Sequence, residues 1–218
     1  MDQPVIDRRR QQNLTAPRTD ARAVTPSIRS FALAIDRQRA AVERIPVLRS
    51  ARRGLTALAA ALDGAEVAAI AFALDDPQAE LVAFAEAASA VSVPVLRTDL
   101  ILEEFQIYET RAAGGDALLL SARALPGELL SRLCAVTAST HMIACVICED
   151  AADLSRALAA RAGVLALRDL TLPVPRRALL LALDVTAASG VDAALDTVLG
   201  DSADPAADFR RHLDGAAV

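Results

Sequence analysis

The 218-residue sequence has no lysine and no tryptophan; all 23 positions counted as Lys or Arg are arginine, and aromatic residues make up 3%. A guanidinium is too basic to give up a proton near neutral pH, so arginine cannot stand in for lysine as a general acid. With few large rings, the 54% apolar fraction must build its core from Ala, Leu, Val and Ile, which suits Ala-rich helices packed closely on a sheet. Three cysteines, Cys134, Cys145 and Cys148, are an odd and crowded set that does not make a secreted disulfide framework. No apolar run approaches the roughly 20 residues needed to span a bilayer, because Asp, Glu or Arg interrupts each one. The N-terminus lacks the apolar stretch of a signal peptide, and Asp2, Asp7 and Asp20 argue against a transit peptide. A cytoplasmic protein with no membrane partner is expected.

A formal charge of −5 supplies no concentrated basic face for nucleic acid, and Arg8-Arg9-Arg10 reads as a solvated tail. Gly-x-Gly-x-x-Gly, P-loop and His-Glu-x-x-His patterns are missing. His141 and His212 have no metal-ligand spacing around them, so neither a metal nor a cofactor is expected.

Residues 1–27 are polar, arginine-rich and broken by Pro4, Pro17 and Pro26, which predicts a disordered or loose N-terminal arm. Residues 28–218 form the single domain. Ser27 can cap a helix starting near Ile28, where Phe31, Ile35 and Val42 recur at helical spacing before Arg44. From there short β-type runs alternate with helical ones, the pattern of a parallel sheet with crossover helices. Strands are expected at 45–49, 67–74, 93–98, 117–121, 142–148 and 164–167, and helices at 55–62, 77–89, 103–113, 126–138 and 151–162. A barrel completes this series naturally, with an open doubly wound sheet as the alternative. After Arg168 two registers compete. One makes 178–184 strand seven. The other makes 177–189 a helix closed by Gly190, with strand eight starting at Ala193.

The stretch Pro94-Val95-Leu96-Arg97-Thr98-Asp99, followed by Phe105-Gln106-Ile107-Tyr108-Glu109 and Arg111-Ala112-Ala113-Gly114-Gly115-Asp116, resembles the indole-3-glycerol-phosphate synthase family. There a strand ending Leu-Arg-Lys-Asp-Phe leads into a helix reading Tyr-Gln-Val-Tyr-Glu-Ala-Arg-Ala-Ala-Gly-Ala-Asp. Weaker echoes lie at 45–49, 150–170 and 198–213, and Asp204 to Leu213 is similar to the family's last helix. The resemblance implies a (β/α)8 TIM barrel with an N-terminal arm and helix, and a decarboxylating ring closure in tryptophan biosynthesis. Fewer residues lie between Arg168 and Gly200 than the family's two helices and a strand require. The barrel is therefore expected to be shortened, and either strained or incomplete in its C-terminal third, with the segment 178–188 covering an exposed edge.

Carried over position by position, the resemblance removes the chemistry. Val47 stands for the strand-one carboxylate, Arg49 for the strand-one lysine and Thr98 for the general-acid lysine. Ile147 stands for the strand-five carboxylate, Ala166 for a strand-six amide and, in the first register, Ala188 for the strand-seven glutamate. A slip of the strand-five register would offer Cys148 or Glu149, but alternation turns Cys148 to the other face. The Cys145-Val146-Ile147-Cys148 pair is therefore read as core. Residues able to bind a ligand are Arg49, Thr98, Asp99, Arg168, Gly200 and Ser202, the last two within a turn that resembles the family's phosphate loop. Asp99 is read as an acceptor for backbone or arginine donors rather than as a base.

The favoured function is a catalytically silent relative of the synthase, acting as an interaction, scaffold or regulatory subunit in a homo-oligomer or with a protein partner. The alternatives are an enzyme, either a weak synthase, which would be a carbon–carbon lyase, or a barrel enzyme with altered chemistry, and a sensor for a phosphorylated small molecule.

Overall fold

The computed structural model describes residues 3–20, 24–36, 42–187 and 189–216. It is a closed barrel of eight parallel strands in sequential order. The strands are β1 (Glu43–Arg49), β2 (Ile70–Ala73), β3 (Val95–Arg97), β4 (Ala117–Ser121), β5 (Ile143–Cys148), β6 (Val164–Leu167), β7 (Leu180–Ala182) and β8 (Ala193–Asp196). Closure is made by β8 on β1, with Ala193 opposite Glu43 and Leu195 opposite Ile45. This excludes the open doubly wound sheet and corrects the expectation of an incomplete barrel.

The helices are α1 (Gln3–Thr15), α2 (Phe31–Ile35), α3 (Leu55–Asp63), α4 (Pro77–Ser89), α5 (Glu104–Ala112), α6 (Gly127–Ser139), α7 (Ala151–Ala159), α8 (Thr197–Asp201) and α9 (Pro205–Ala216). The missing length in the last third was taken from crossovers, not from strands. Residues 168–179 join β6 to β7 and residues 183–192 join β7 to β8, with one 3-10 turn, Val185–Ala187, between them. About a dozen residues is near the minimum for a parallel crossover, so each connection has room to return but not to build a helix. Leu170, Leu172, Val174 and Ala178 lie partly buried against the outer core cluster that contains Leu165, Leu167, Leu180 and Ala182. An extended segment thus supplies the apolar cover that both faces of a parallel sheet require. The segment 178–188, expected as that cover, instead contains β7. The two registers each held one part of the answer: strand seven from the first, strand eight at Ala193 from the second.

Period-two alternation sorts the strand residues into two layers. Ile45, Val47, Ala69, Ala71, Leu96, Ala117, Leu119, Cys145, Val164, Ala166, Leu181, Ala193 and Leu195 fill the barrel interior. Phe31 and Ile35 of α2 are fully buried in the same cluster. The neighbouring Ser27 amide donates to the Thr140 carbonyl at 3.0 Å, placing this segment at the end where the strands begin. There a carboxylate ties adjacent strands twice over. Asp116 accepts from the Val95 amide at 2.9 Å, and Asp192 from the Leu180 amide at 2.8 Å. The expected helix from 28 is limited to α2, with Ser30 as its cap; residues 37–41 lie outside the described residues.

Residues 3–15 are helical rather than loose. The helix α1 buries Ile6, Arg9 and Asn13 against the barrel, and Ser27 and Arg29 are bonded to Asp116 at 2.6 and 2.8 Å. Its composition hid this because the residues it buries are mostly polar. Among the described residues, no helix is long and apolar enough to cross a membrane.

Candidate functional site: the barrel mouth

In a barrel of this kind the C-terminal strand ends and the loops after them form the site. Val47 belongs to the interior cluster and is 8% exposed, Ala166 is fully buried, and Ile147 packs on the same cluster with Ala73 and Leu183. Thr98, which alternation sets on the same side as Leu96, spends its hydroxyl on the Phe72 carbonyl at 3.2 Å. At the four positions Val47, Thr98, Ile147 and Ala166 the barrel therefore presents three hydrocarbon side chains and one engaged hydroxyl. None can gain or lose a proton near neutral pH. Ala188 lies outside the described residues.

Charge is confined to the rim, where it is paired between neighbouring loops. Arg49, after β1, meets Asp75, after β2, at 3.2 Å. Arg123, after β4, reaches Glu149 and Asp150, after β5, each at 2.7 Å. The Asp150 carboxyl is held below the ordinary range first by the Asp153 amide and then by Arg123. The Asp184 carboxyl is likewise lowered, mainly by the amide and hydroxyl of Thr186, with the charge of Arg168 adding to them. These lowered carboxylates are acceptors locked in the ionised form, unlike a general acid or base tuned towards neutrality. Arg168 itself is exposed at the rim.

Asp99 does not join the mouth. It faces outward with Arg97, which is fully buried and donates to it through Nε at 2.6 Å and Nη2 at 2.9 Å. Arg97 also reaches Glu109 at 2.9 Å and Thr110 at 3.1 Å on α5, and Arg9 of α1 meets Asp99 at 3.1 Å. This network of Arg9, Arg97, Asp99, Glu109 and Thr110 was missed in the sequence, although an Arg-x-Asp alternation before a helix bearing Glu109 carries the signal. Arg49, Thr98, Asp99 and Arg168 therefore do not converge on one cavity wall.

At the turn expected to hold phosphate, Gly200 sits so close to β1 that a Cβ would strike the backbone of Val47. The guanidinium of Arg52 donates to the carbonyls of Gly200 and Ser202, and the Ser202 hydroxyl donates to Asp208. The two carbonyls and the hydroxyl are thus engaged within the chain, and Asp208 adds a negative charge beside them.

The three cysteines are buried and unpaired in disulfides, and Cys145 and Cys148 lie on opposite layers, interior and outer. Burial raises the Cys134 thiol to about 11 and the Cys148 thiol to about 12, and pushes Cys145 further in the same direction. They are inert core thiols at neutral pH.

The model of the family described as indole-3-glycerol phosphate synthase matches residues 9–172. A protein of that name from Neisseria meningitidis is 38% identical over 101 residues, covering 45% of this chain and 39% of its own. One from Mycolicibacterium smegmatis is 45% identical over 91 residues, covering 40% of this chain and 34% of its own. The chain thus matches well under half the length of these relatives. Among solved structures it is similar to tryptophan synthase subunit alpha from Legionella pneumophila, with a TM-score of 0.64 at 13% identity over 87% of this chain and 100% of that one. It is similar also to 2-keto-3-deoxy-6-phospho-gluconate aldolase from Zymomonas mobilis, at 0.62 and 12% over 84% of this chain and 95% of that one. At such identities these two speak for the barrel fold alone. With three quarters of its length under the family model and a closed (β/α)8 barrel beneath it, the chain belongs to the indole-3-glycerol phosphate synthase family.

Proposed function

We propose that this chain is a catalytically silent member of its family, which acts through protein contacts, as a homo-oligomer or beside a partner, rather than by ring closure. The observation that carries the reading is the mouth itself. Val47, Ile147 and Ala166 are hydrocarbon where the chemistry needs a carboxylate or an amide, and Thr98 is hydrogen-bonded to Phe72 where it needs an acid. Ring closure with loss of CO2 and water requires a cationic acid and a carboxylate that can accept and return a proton. On the rim Arg49 pairs with Asp75 and Arg123 with Glu149. The closed barrel removes the open edge that would have demanded a partner, so an oligomer is proposed for function and not as a structural necessity. Assay of the purified chain for indole-glycerol phosphate tests the first half. Sedimentation at micromolar concentration tests the second, where a strict monomer counts against self-association.

A further inference from the structure

Helices usually dock by an apolar stripe, and α1 does not. Its buried stripe is Ile6, Arg9 and Asn13, one hydrocarbon, one guanidinium and one amide, and the rest of Gln3–Thr15 is exposed or half-buried. Arg9 reaches Asp99 at 3.1 Å, with both side chains under a tenth exposed. Asn13 donates to Glu103 at 3.0 Å and to Gln106 at 3.3 Å, both near the start of α5. From α4, Gln78 donates to the Gln12 carbonyl at 2.8 Å and the Thr15 hydroxyl at 3.2 Å. Arg18 lies 3.9 Å over the Phe105 ring and pairs with Glu103 at 3.1 Å.

The seat has a charge imbalance of its own. Without Arg9, one buried cation, Arg97, faces two carboxylates, Asp99 and Glu109. The arginine of α1 neutralises the surplus, and a buried unpaired charge is costly enough that an arginine is strongly preferred there. Between α1 and Ser27, which is anchored to Thr140 and Asp116, lie residues 16–26, and a chain of that length can extend roughly 36 Å at about 3.3 Å per residue.

We infer that the groove between the start of α4 and α5 is an exchangeable docking site for an arginine-bearing helix, filled by the chain's own α1 and open to the α1 of a second copy. Charge complementarity sets the occupant: the helix must bring one guanidinium to Asp99 and, four residues on, an amide to Glu103 and Gln106. Within one chain the tether holds α1 at an effective concentration near the millimolar range, so exchange shows only when the resident helix is weakened. This inference does not depend on the barrel being silent.

The test uses the full chain carrying Arg9→Ala and Asn13→Ala, with a fluorescein-labelled peptide of residues 3–20 as probe. Saturable binding is expected, at least tenfold tighter than that of the same peptide carrying Arg9→Ala, together with tenfold faster amide exchange in the variant's own α1. Equal binding of the two peptides, or none, overturns the inference. So does loss of cooperative barrel unfolding in the variant, because a displaceable helix leaves the barrel standing.

Discussion

Asp99 takes both Nε and Nη2 of Arg97, at 2.6 and 2.9 Å, while Thr98 between them turns the other way and bonds the Phe72 carbonyl. One strand end therefore carries two unrelated surfaces. The outward one is a neutralised ionic network that ties β3 to α5 and α1. The inward one carries Thr98, which the proposed reading sets at the position of the family's general acid.

Removing the carboxylate of this pair leaves two buried guanidiniums, Arg9 and Arg97, facing Glu109 alone. Asp99→Ala should cost about 3–5 kcal/mol of stability, as breaking a buried ion pair does. Urea unfolding measures it, and a loss under about 1 kcal/mol would show that the network is solvated.

Gly200→Ala should destabilise by about 1–3 kcal/mol, the range for overpacking, because the new methyl meets the Val47 backbone and not a movable side chain. Thermal unfolding of the variant beside the parent gives the value, and an unchanged melting temperature would contradict the close packing of α8 on β1.

Alkaline stability reports the thiols. Burial raises Cys134 and Cys148 from an ordinary value near 9 to about 11 and about 12, and Cys145 beyond them. Between about pH 9 and 11 the unfolded chain thus binds fewer protons than the folded one. The stability these thiols contribute is whole below pH 9 and is lost as pH rises, by about 1.4 kcal/mol per pH unit for each thiol. With no lysine and a single tyrosine, few other side chains titrate in that window. Replacing all three cysteines by alanine should flatten the profile between pH 9 and 11; an unaltered slope would mean the thiols are not its source.

The strands up to β6 and the helices between them were legible because their alternation and helical spacing are undisturbed, and the family motif at 94–116 fixed the frame. The last third was not, since a strand such as Leu180–Ala182 is too short to show a period and the crossover cues were gone. Helix α1 was hidden by composition: a stripe of Ile6, Arg9 and Asn13 looks solvated until Asp99 and Glu103 are seen opposite it. At the mouth, the apolar character of Val47, Ile147 and Ala166 was legible from their side chains, whereas the Thr98 bond to Phe72 was not. The seating of Arg9 on Asp99 and of Arg52 on the Gly200 turn needed coordinates, because those partners are distant in sequence.

Restoring one group should not restore turnover. Thr98→Lys places a cation above hydrocarbon with no carboxylate to work with, and Ile147→Glu places a carboxylate there with no acid, while catalytic groups of this kind act as a unit. Both variants are expected to be less stable than the parent and inactive. Measurable synthase activity in either would mean that more of the site survives than Val47 and Ala166 indicate.

The central claim, that the mouth has lost its acid–base machinery, is tested most directly by incubating the purified parent chain with the carboxyphenylamino-deoxyribulose phosphate substrate of the synthase reaction and following indole-glycerol phosphate by fluorescence. The account predicts no product above the uncatalysed background. Turnover within about a hundredfold of an ordinary enzyme, for which kcat is about 10 per second, would contradict it.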